Sequence, residues 1–403
     1  MKILIDSGST AFILICIALV TLMVPSLGLF YGGLVRKKNI ISVIFLCFLS
    51  LALVSLQWVL FGYSLAFGHD LFGFIGGLDF IGLSGIGIED TIVSGIPDLA
   101  FVAYQMVFAG IALAIIVSGF AERVKLSSFI IFGLLWTTIV YDPLAHWAWG
   151  GGWAHAMGVL DFAGGTVVHI SAGFGALAAA FVIGKRSGFG SSRVVSAPQN
   201  IPLTLLGAGL LWVGWFAFNG GSALAANGIA GLAVMNTAIA AAAGAVVWIL
   251  ISSVYGKPSA VGLVSGALAG LVGITPAAGY VPVYSAVIIG GIASVICYAA
   301  LSFRLKKKWD ESLDAWAIHG VGGLWGAVAT GIFATAAFAG TGGLIEGNFT
   351  LFAANIIDAV AAMVYSFVVT YVLAYVIHKT IGLRVSELEE ELGLDISNHG
   401  ERA

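Results

Sequence analysis

Charge is what this chain lacks. Asp, Glu, Lys and Arg make up 9% of its 403 residues, against about 25% in an ordinary soluble domain. Such a shortage excludes a charge-rich soluble surface, and no basic stretch offers a nucleic-acid footprint. Cysteine is scarce too. Cys16, Cys47 and Cys297 all fall in apolar stretches, with no C-x-x-C pair among them, so they read as buried core thiols. No H-E-x-x-H pattern and no Gly-rich phosphate loop with Lys is present. We therefore expect no cofactor, no metal site and no enzymatic reaction. A net charge of −3 says little about partners.

What is present is apolar surface, at 60% of residues. Asn39 to Gly68, Val194 to Gly256, Pro258 to Phe303 and Ala315 to Ile345 carry no Asp, Glu, Lys or Arg. A bilayer crossing needs roughly 20 mostly apolar residues, so the chain reads as an all-α polytopic membrane protein. The best partition places eleven transmembrane helices at approximately 8–32, 40–67, 98–120, 126–147, 162–184, 200–218, 228–254, 259–276, 283–303, 312–339 and 351–378. Asn219-Gly220-Gly221 through Asn227-Gly228, and Pro276 through Pro282, mark reversals inside the longest runs.

With that partition the basic residues fall after odd-numbered helices: Arg36, Lys37 and Lys38; Arg123 and Lys125; Lys185, Arg186 and Arg193; Lys257; Arg304 and Lys306 to Lys308; Lys379, Arg384 and Arg402. Only Lys2 lies on the other side. The positive-inside rule then predicts an outer N-terminus and a cytoplasmic C-terminus. Residues 1–379 form the membrane domain and 380–403 a tail.

Glycine is abundant, 55 residues, about twice the usual share of roughly 7%. Gly262, Gly266 and Gly270 repeat at four-residue spacing, as do Ser171, Gly175 and Ala179. Small residues at this spacing let helices pack closely, which favours a narrow conduit and a small substrate.

His169 lies eight residues past Asp161, about 12 Å along a helix, and His319 about 10 Å into a helix entering from the other side. Both then approach the midplane, 150 residues apart, in segments that look alike. Helices 1–5 and 6–10 as an inverted repeat would place a site at their interface. Intramembrane ionisable groups default to pathway roles; His146 and His155 fall near the outer surface, and Asp358 at the outer boundary is assigned nothing. Asp161 caps its helix or stabilises a nearby cation, or both. Phe108, Trp149, Trp215 and Phe218, with Ser222 four residues on, gather at the outer ends of spans. They form an interfacial belt or a cation–π vestibule, and composition leaves both open.

The run Asp161-Phe-Ala-Gly-Gly-Thr-Val-Val-His169-Ile-Ser-Ala-Gly, continuing to Gly184-Lys185-Arg186, resembles the signature of the ammonium transporter family (Amt/Rh). Ala121-Glu122-Arg123, Gly214-Trp215 to Ser222, Asp314 with His319-Gly320, and the tail from Gly382-Leu383-Arg384 to His399-Gly400-Glu401 agree in order. The resemblance spans essentially the whole chain. It implies a homotrimer in the cell membrane with a conduction path in each subunit. It also implies recruitment of ammonium by Phe108, Trp149 and Ser222 with the help of Asp161, a phenyl gate of Phe108 and Phe218, and twin histidines, His169 and His319, lining the pore. Trp149 with Gly150-Gly151-Gly152 points to the Amt branch. Tyr104, a phenylalanine in many relatives, is expected to change little.

On charge pattern alone the tail, with Glu387, Glu389, Glu390 and Glu391, is a solvated segment. The resemblance instead implies contact with a neighbouring subunit and with a PII-type regulatory protein. Three alternatives stand beside selective ammonium transport. An ammonium sensor with low flux would signal through the cytoplasmic face. A coupled transporter of a larger solute would need broken helices and a wider cavity. A membrane enzyme would use the histidines as ligands or acid–base groups.

Overall fold

Eleven helices long and apolar enough to cross a membrane dominate the computed structural model, which describes residues 4–91, 95–190 and 198–403. They are α1 (Ser7–Leu34), α2 (Lys37–Phe67), α3 (Asp98–Phe120), α4 (Leu126–Ala156), α5 (Gly165–Ile183), α6 (Ile201–Gly221), α7 (Gly228–Tyr255), α8 (Ala260–Ala277), α9 (Val283–Lys307), α10 (Trp316–Phe333) and α11 (Phe349–Thr380). Their starts are written locally. Side-chain oxygens of Asp6, Asn200, Asn227, Ser259 and Asn348 accept first-turn amides of α1, α6, α7, α8 and α11, satisfying N–H groups that lack partners in the helix.

Several expected boundaries shift, α4 running to Ala156 where residue 147 was expected. Asn219-Gly220-Gly221, read as a reversal, is the last turn of α6, where Asn219 Nδ2 donates to Thr237 Oγ1 at 2.9 Å. The start of α5 moves from residue 162 to Gly165, because Asp161 to Gly164 form a capping turn. α10 is shorter at both ends than 312–339. Residues 334–348 run as a loop with two short turns, Ala336–Ala339 and Leu344–Glu346.

α1 packs along α6, and α5 against α10, so corresponding members of the two five-helix sets meet in the middle. Gly266 and Gly270 place α8 on the α7 backbone; a Cβ at Gly270 would sit 2.1 Å from the Ala240 carbonyl oxygen. Loops following α1, α3, α5, α9 and α11 converge on one face through Arg36, Glu122, Arg186, Asp310 and Arg384. Lys2 and Arg193, two of the charges that set the expected orientation, lie outside the described residues. On the opposite face a hairpin of β1 (Asp70–Leu71) and β2 (Ile75–Gly76) covers the end of α4.

Candidate functional site

The two histidines come together because α5 and α10 open in the same unusual way. Each begins with a wide i→i+5 turn, Gly165–Ile170 in one and Trp316–Val321 in the other. Such turns are rare and concentrate at functional sites. Below them the helices nearly touch: a Cβ at Gly173 would lie 2.1 Å from the Gly320 amide nitrogen. His169 Nδ1 and His319 Nδ1 are 3.3 Å apart, with both rings buried. A bond between two such nitrogens needs one N–H and one lone pair, so a single proton sits between the two rings. His169 Nε2 is buried without a partner.

Asp161 sets the mouth of α5 and lies outside the helix proper. Its Oδ1 accepts the amides of Gly164 and Gly165, at 2.9 and 2.7 Å, and its Oδ2 the Thr166 amide and hydroxyl, at 2.9 and 2.7 Å. Its own backbone carbonyl accepts the Trp149 indole N–H at 2.9 Å. One residue thus joins the aromatic site to the histidine helix. The capping role is present, and the residue is buried.

Phe108 and Phe218 stack at 4.0 Å with 15° between ring planes, and Trp149 meets Phe108 edge-on at 6.3 Å. Phe218 in turn stacks 5.9 Å from His169. Ser222 Oγ donates to the Phe218 carbonyl at 2.8 Å, which leaves its lone pairs free to accept from a cation. Trp215 is not at the outer end with the others. It lies beneath the phenyl pair, stacked on His169 at 5.4 Å and on His319 at 6.5 Å, its indole N–H on Thr275 Oγ1.

Tyr104 has more to do than its aromatic ring suggested. Its hydroxyl reaches the carbonyls of Ala217 and Phe218, both at 2.8 Å, and lies 3.4 Å from Ser222 Oγ. Its i, i+4 spacing to Phe108 was the one signal in the sequence. His146 and Asp358, expected near the outer ends of their spans, are buried against neighbouring elements there. His146 bonds the Ala66 carbonyl and Asp70, and Asp358 lies beside Thr166.

Beneath Phe218 a largely apolar cavity of about 330 Å³ carries Leu27, Ile115, Leu268 and Ile318 with the two histidines on its wall. It runs to Arg36, Glu122, Arg186 and Asp314 at the basic face. Glu122 is the hub there. It accepts from Arg36 Nε and Asn39 Nδ2, both at 2.9 Å, and from Arg186 at 2.5 Å. Burial pushes its carboxyl up, but the Arg186 and Arg36 guanidiniums outweigh burial and hold it at about 2.

The tail docks on this hub instead of lying in solvent. Buried Glu390 accepts from Arg384 and from the Ser187 amide, and Lys38 Nζ donates to the Glu390 carbonyl. Asp395 accepts the Ser42 amide at 2.8 Å. Two short helices, α12 (Glu387–Leu392) and α13 (Leu394–His399), carry these contacts, and all are made within one chain.

Stacked rings over an apolar cavity, within a tightly packed eleven-span bundle, define a multi-pass membrane transport protein for a small solute. The Ammonium Transporter Family profile matches residues 11–403. The chain is 53% identical to ammonium transporter Amt1 of Archaeoglobus fulgidus over 99% of both chains, and 47% identical to the ammonium transporter of Bacillus subtilis over 98% of each. It superposes on the crystal structure of Saccharomyces cerevisiae Mep2 with a TM-score of 0.89 at 38% identity, covering 95% of this chain and 88% of that one. A solved chain described as "Sensor Amt Protein" gives 0.89 at 31% identity, covering 97% and 98%. The chain belongs to the ammonium transporter family. Its function is ammonium transport, as a multi-pass protein of the cell membrane.

Proposed function

We propose that ammonium is recruited between Trp149, Phe108 and Ser222, loses a proton at the Phe108–Phe218 gate, and crosses as ammonia along His169 and His319. The observation that carries this reading is the contact between two buried imidazoles on the wall of an apolar cavity. A bare cation in such a cavity faces a desolvation cost that a few hydrogen bonds do not offset. Ammonium avoids the cost by releasing a proton; potassium has no such route. Ring faces attract the ion before that step, Ser222 accepts one of its N–H groups, and Asp161 contributes field and geometry. The histidine pair offers the passing ammonia both a donor and an acceptor.

By the positive-inside rule the basic face is cytoplasmic and Trp149 lies outside. The chain works as a homotrimer with one path per subunit. Residues 380–403 regulate the 1–379 membrane domain from the basic face, which a PII-type protein would engage.

The test is current on solid-supported membranes from proteoliposomes pulsed with ammonium and then potassium. An ammonium-only response that disappears in the His169→Leu/His319→Leu double variant is expected; unchanged selectivity in that variant would remove the histidine role. Sensing is the second reading, favoured by the likeness to the solved sensor protein. It predicts ammonium binding with negligible current and negligible change in internal pH.

A further inference from the structure

Away from the histidine path, Gln57 of α2 and Asp142 of α4 meet inside the bundle, 1% and 0% exposed. Gln57 Nε2 donates to Asp142 Oδ2 at 2.7 Å and to Thr138 Oγ1 at 3.2 Å. The remaining oxygen of each group, Gln57 Oε1 and Asp142 Oδ1, is buried with no donor, and so is the Tyr141 hydroxyl. An amide oxygen and a carboxylate oxygen are both acceptors, so neither can satisfy the other. One added proton changes that, because it converts Asp142 Oδ1 into a donor. Among the described residues no cation pairs with Asp142.

The backbone marks the same place. α2 widens into an i→i+5 turn at Trp58–Gly62, directly after Gln57, and α4 at Thr137–Tyr141, directly before Asp142. The only other such turns among the described residues carry the twin histidines. Gly62 makes room for the amide: a Cβ there would lie 2.5 Å from Gln57 Oε1. Asp142 also sits seven residues before Trp149 on one helix, about 10 Å along the axis and on the same side. The ionisable groups around it are its helix neighbour Tyr141 and Asp161, both carboxyls exerting a field on the Tyr141 hydroxyl. His146, one turn further on, is taken by Ala66 and Asp70.

We propose that Asp142 is a proton-exchange site of the transport cycle, taking the proton that ammonium leaves behind before ammonia enters the cavity. An N–H bond of ammonium breaks, its electron pair stays on nitrogen, and the proton passes by way of the Tyr141 hydroxyl and water to Asp142 Oδ1. Charge is conserved: cation and carboxylate become ammonia and a neutral acid, which later returns its proton to water. The inference rests on the reading that ammonium gives up a proton to cross.

Asp142→Asn is the informative variant. Its amide can pair with Gln57 through two N–H···O bonds, so the fold keeps its contacts while the proton site is gone. Flux in proteoliposomes, read both as current and as internal pH, is compared in light and heavy water, with melting temperature as the control for folding. The expected result is an Asp142→Asn protein that melts like the parent but has flux reduced about a hundredfold or more, the scale of a lost acid–base group. Asp142→Glu should recover part of it. Parent-like flux in Asp142→Asn, with a parent that heavy water slows, overturns the site alone. A parent indifferent to heavy water removes the proton-transfer reading and the site with it.

Discussion

The indole N–H of Trp149 donates to the backbone carbonyl of Asp161 at 2.9 Å, four residues before the helix that carries His169. The Asp161 carboxylate meanwhile holds the amides of Gly164, Gly165 and Thr166. Asn offers one acceptor oxygen where Asp offers two, so Asp161→Asn must release part of this turn. We expect ammonium flux to fall at least tenfold, because the turn positions both Trp149 and His169, with a loss of about 1–3 kcal/mol in stability. Paired flux and melting measurements check this.

Trp149→Leu removes the ring face, and with it the indole bond to the Asp161 carbonyl, while leaving the His169–His319 contact itself in place. Cation–π attraction of about 1–2 kcal/mol corresponds to roughly a 5- to 30-fold change in binding. The apparent KM for ammonium should rise by that factor, with the maximal rate less affected. A concentration series of ammonium pulses separates the two.

Tyr104→Phe deletes a hydroxyl that reaches the Ala217 and Phe218 carbonyls. A net loss of about 1 kcal/mol is expected. Because Phe218 is half of the ring stack and Ser222 is 3.4 Å from the same hydroxyl, KM should rise a few-fold as well. The ring itself stays, so potassium should still be excluded in the same pulse assay.

At the crossing of α5 and α10, Gly173→Ala puts a methyl group where only 2.1 Å separates it from the Gly320 nitrogen. Backbone cannot yield as a flexible side chain can, so the helices must separate and draw His319 away from His169. Lower thermal stability together with lost flux is expected; a fully active, parent-stable variant would contradict the close crossing.

Glu122 gives a pH dependence with a definite sign. Its carboxyl is held at about 2 in the folded protein, against an ordinary value of 4.5, by Arg186 and Arg36 overcoming burial. A lowered carboxyl pKa stabilises fully above pH 4.5, and that contribution is lost as pH falls through 2. The difference corresponds to roughly 3 kcal/mol. Detergent-solubilised protein should therefore melt earlier as pH drops below about 4.5. Glu122→Gln should melt earlier at neutral pH and show a shallower acid slope.

Much of the membrane domain was legible in the chain because a bilayer imposes length and apolarity on every crossing. All eleven spans were expected, most within a few residues of their ends. Misread boundaries fell where local signals mislead. Asn219-Gly220-Gly221 has the composition of a turn, yet Thr237 of α7 satisfies the asparagine and keeps the helix going. The acidic tail looked solvated because Arg384, Lys38 and the Ser187 amide, which receive Glu390, come from three separate loops.

Sequence by itself determined the class of protein, its spans and its family, since scarcity of charge, placement of basic residues and long motifs are properties of the linear chain. Tertiary structure alone decided which atoms meet. It set one nitrogen of His169 against one of His319, 150 residues away, and put Trp215 beneath the rings it had been grouped with. It also buried Asp142 against Gln57, 85 residues back, with one oxygen of each left unpaired. Such pairings depend on how helices cross and where their turns widen, and that geometry is settled only when the whole bundle packs.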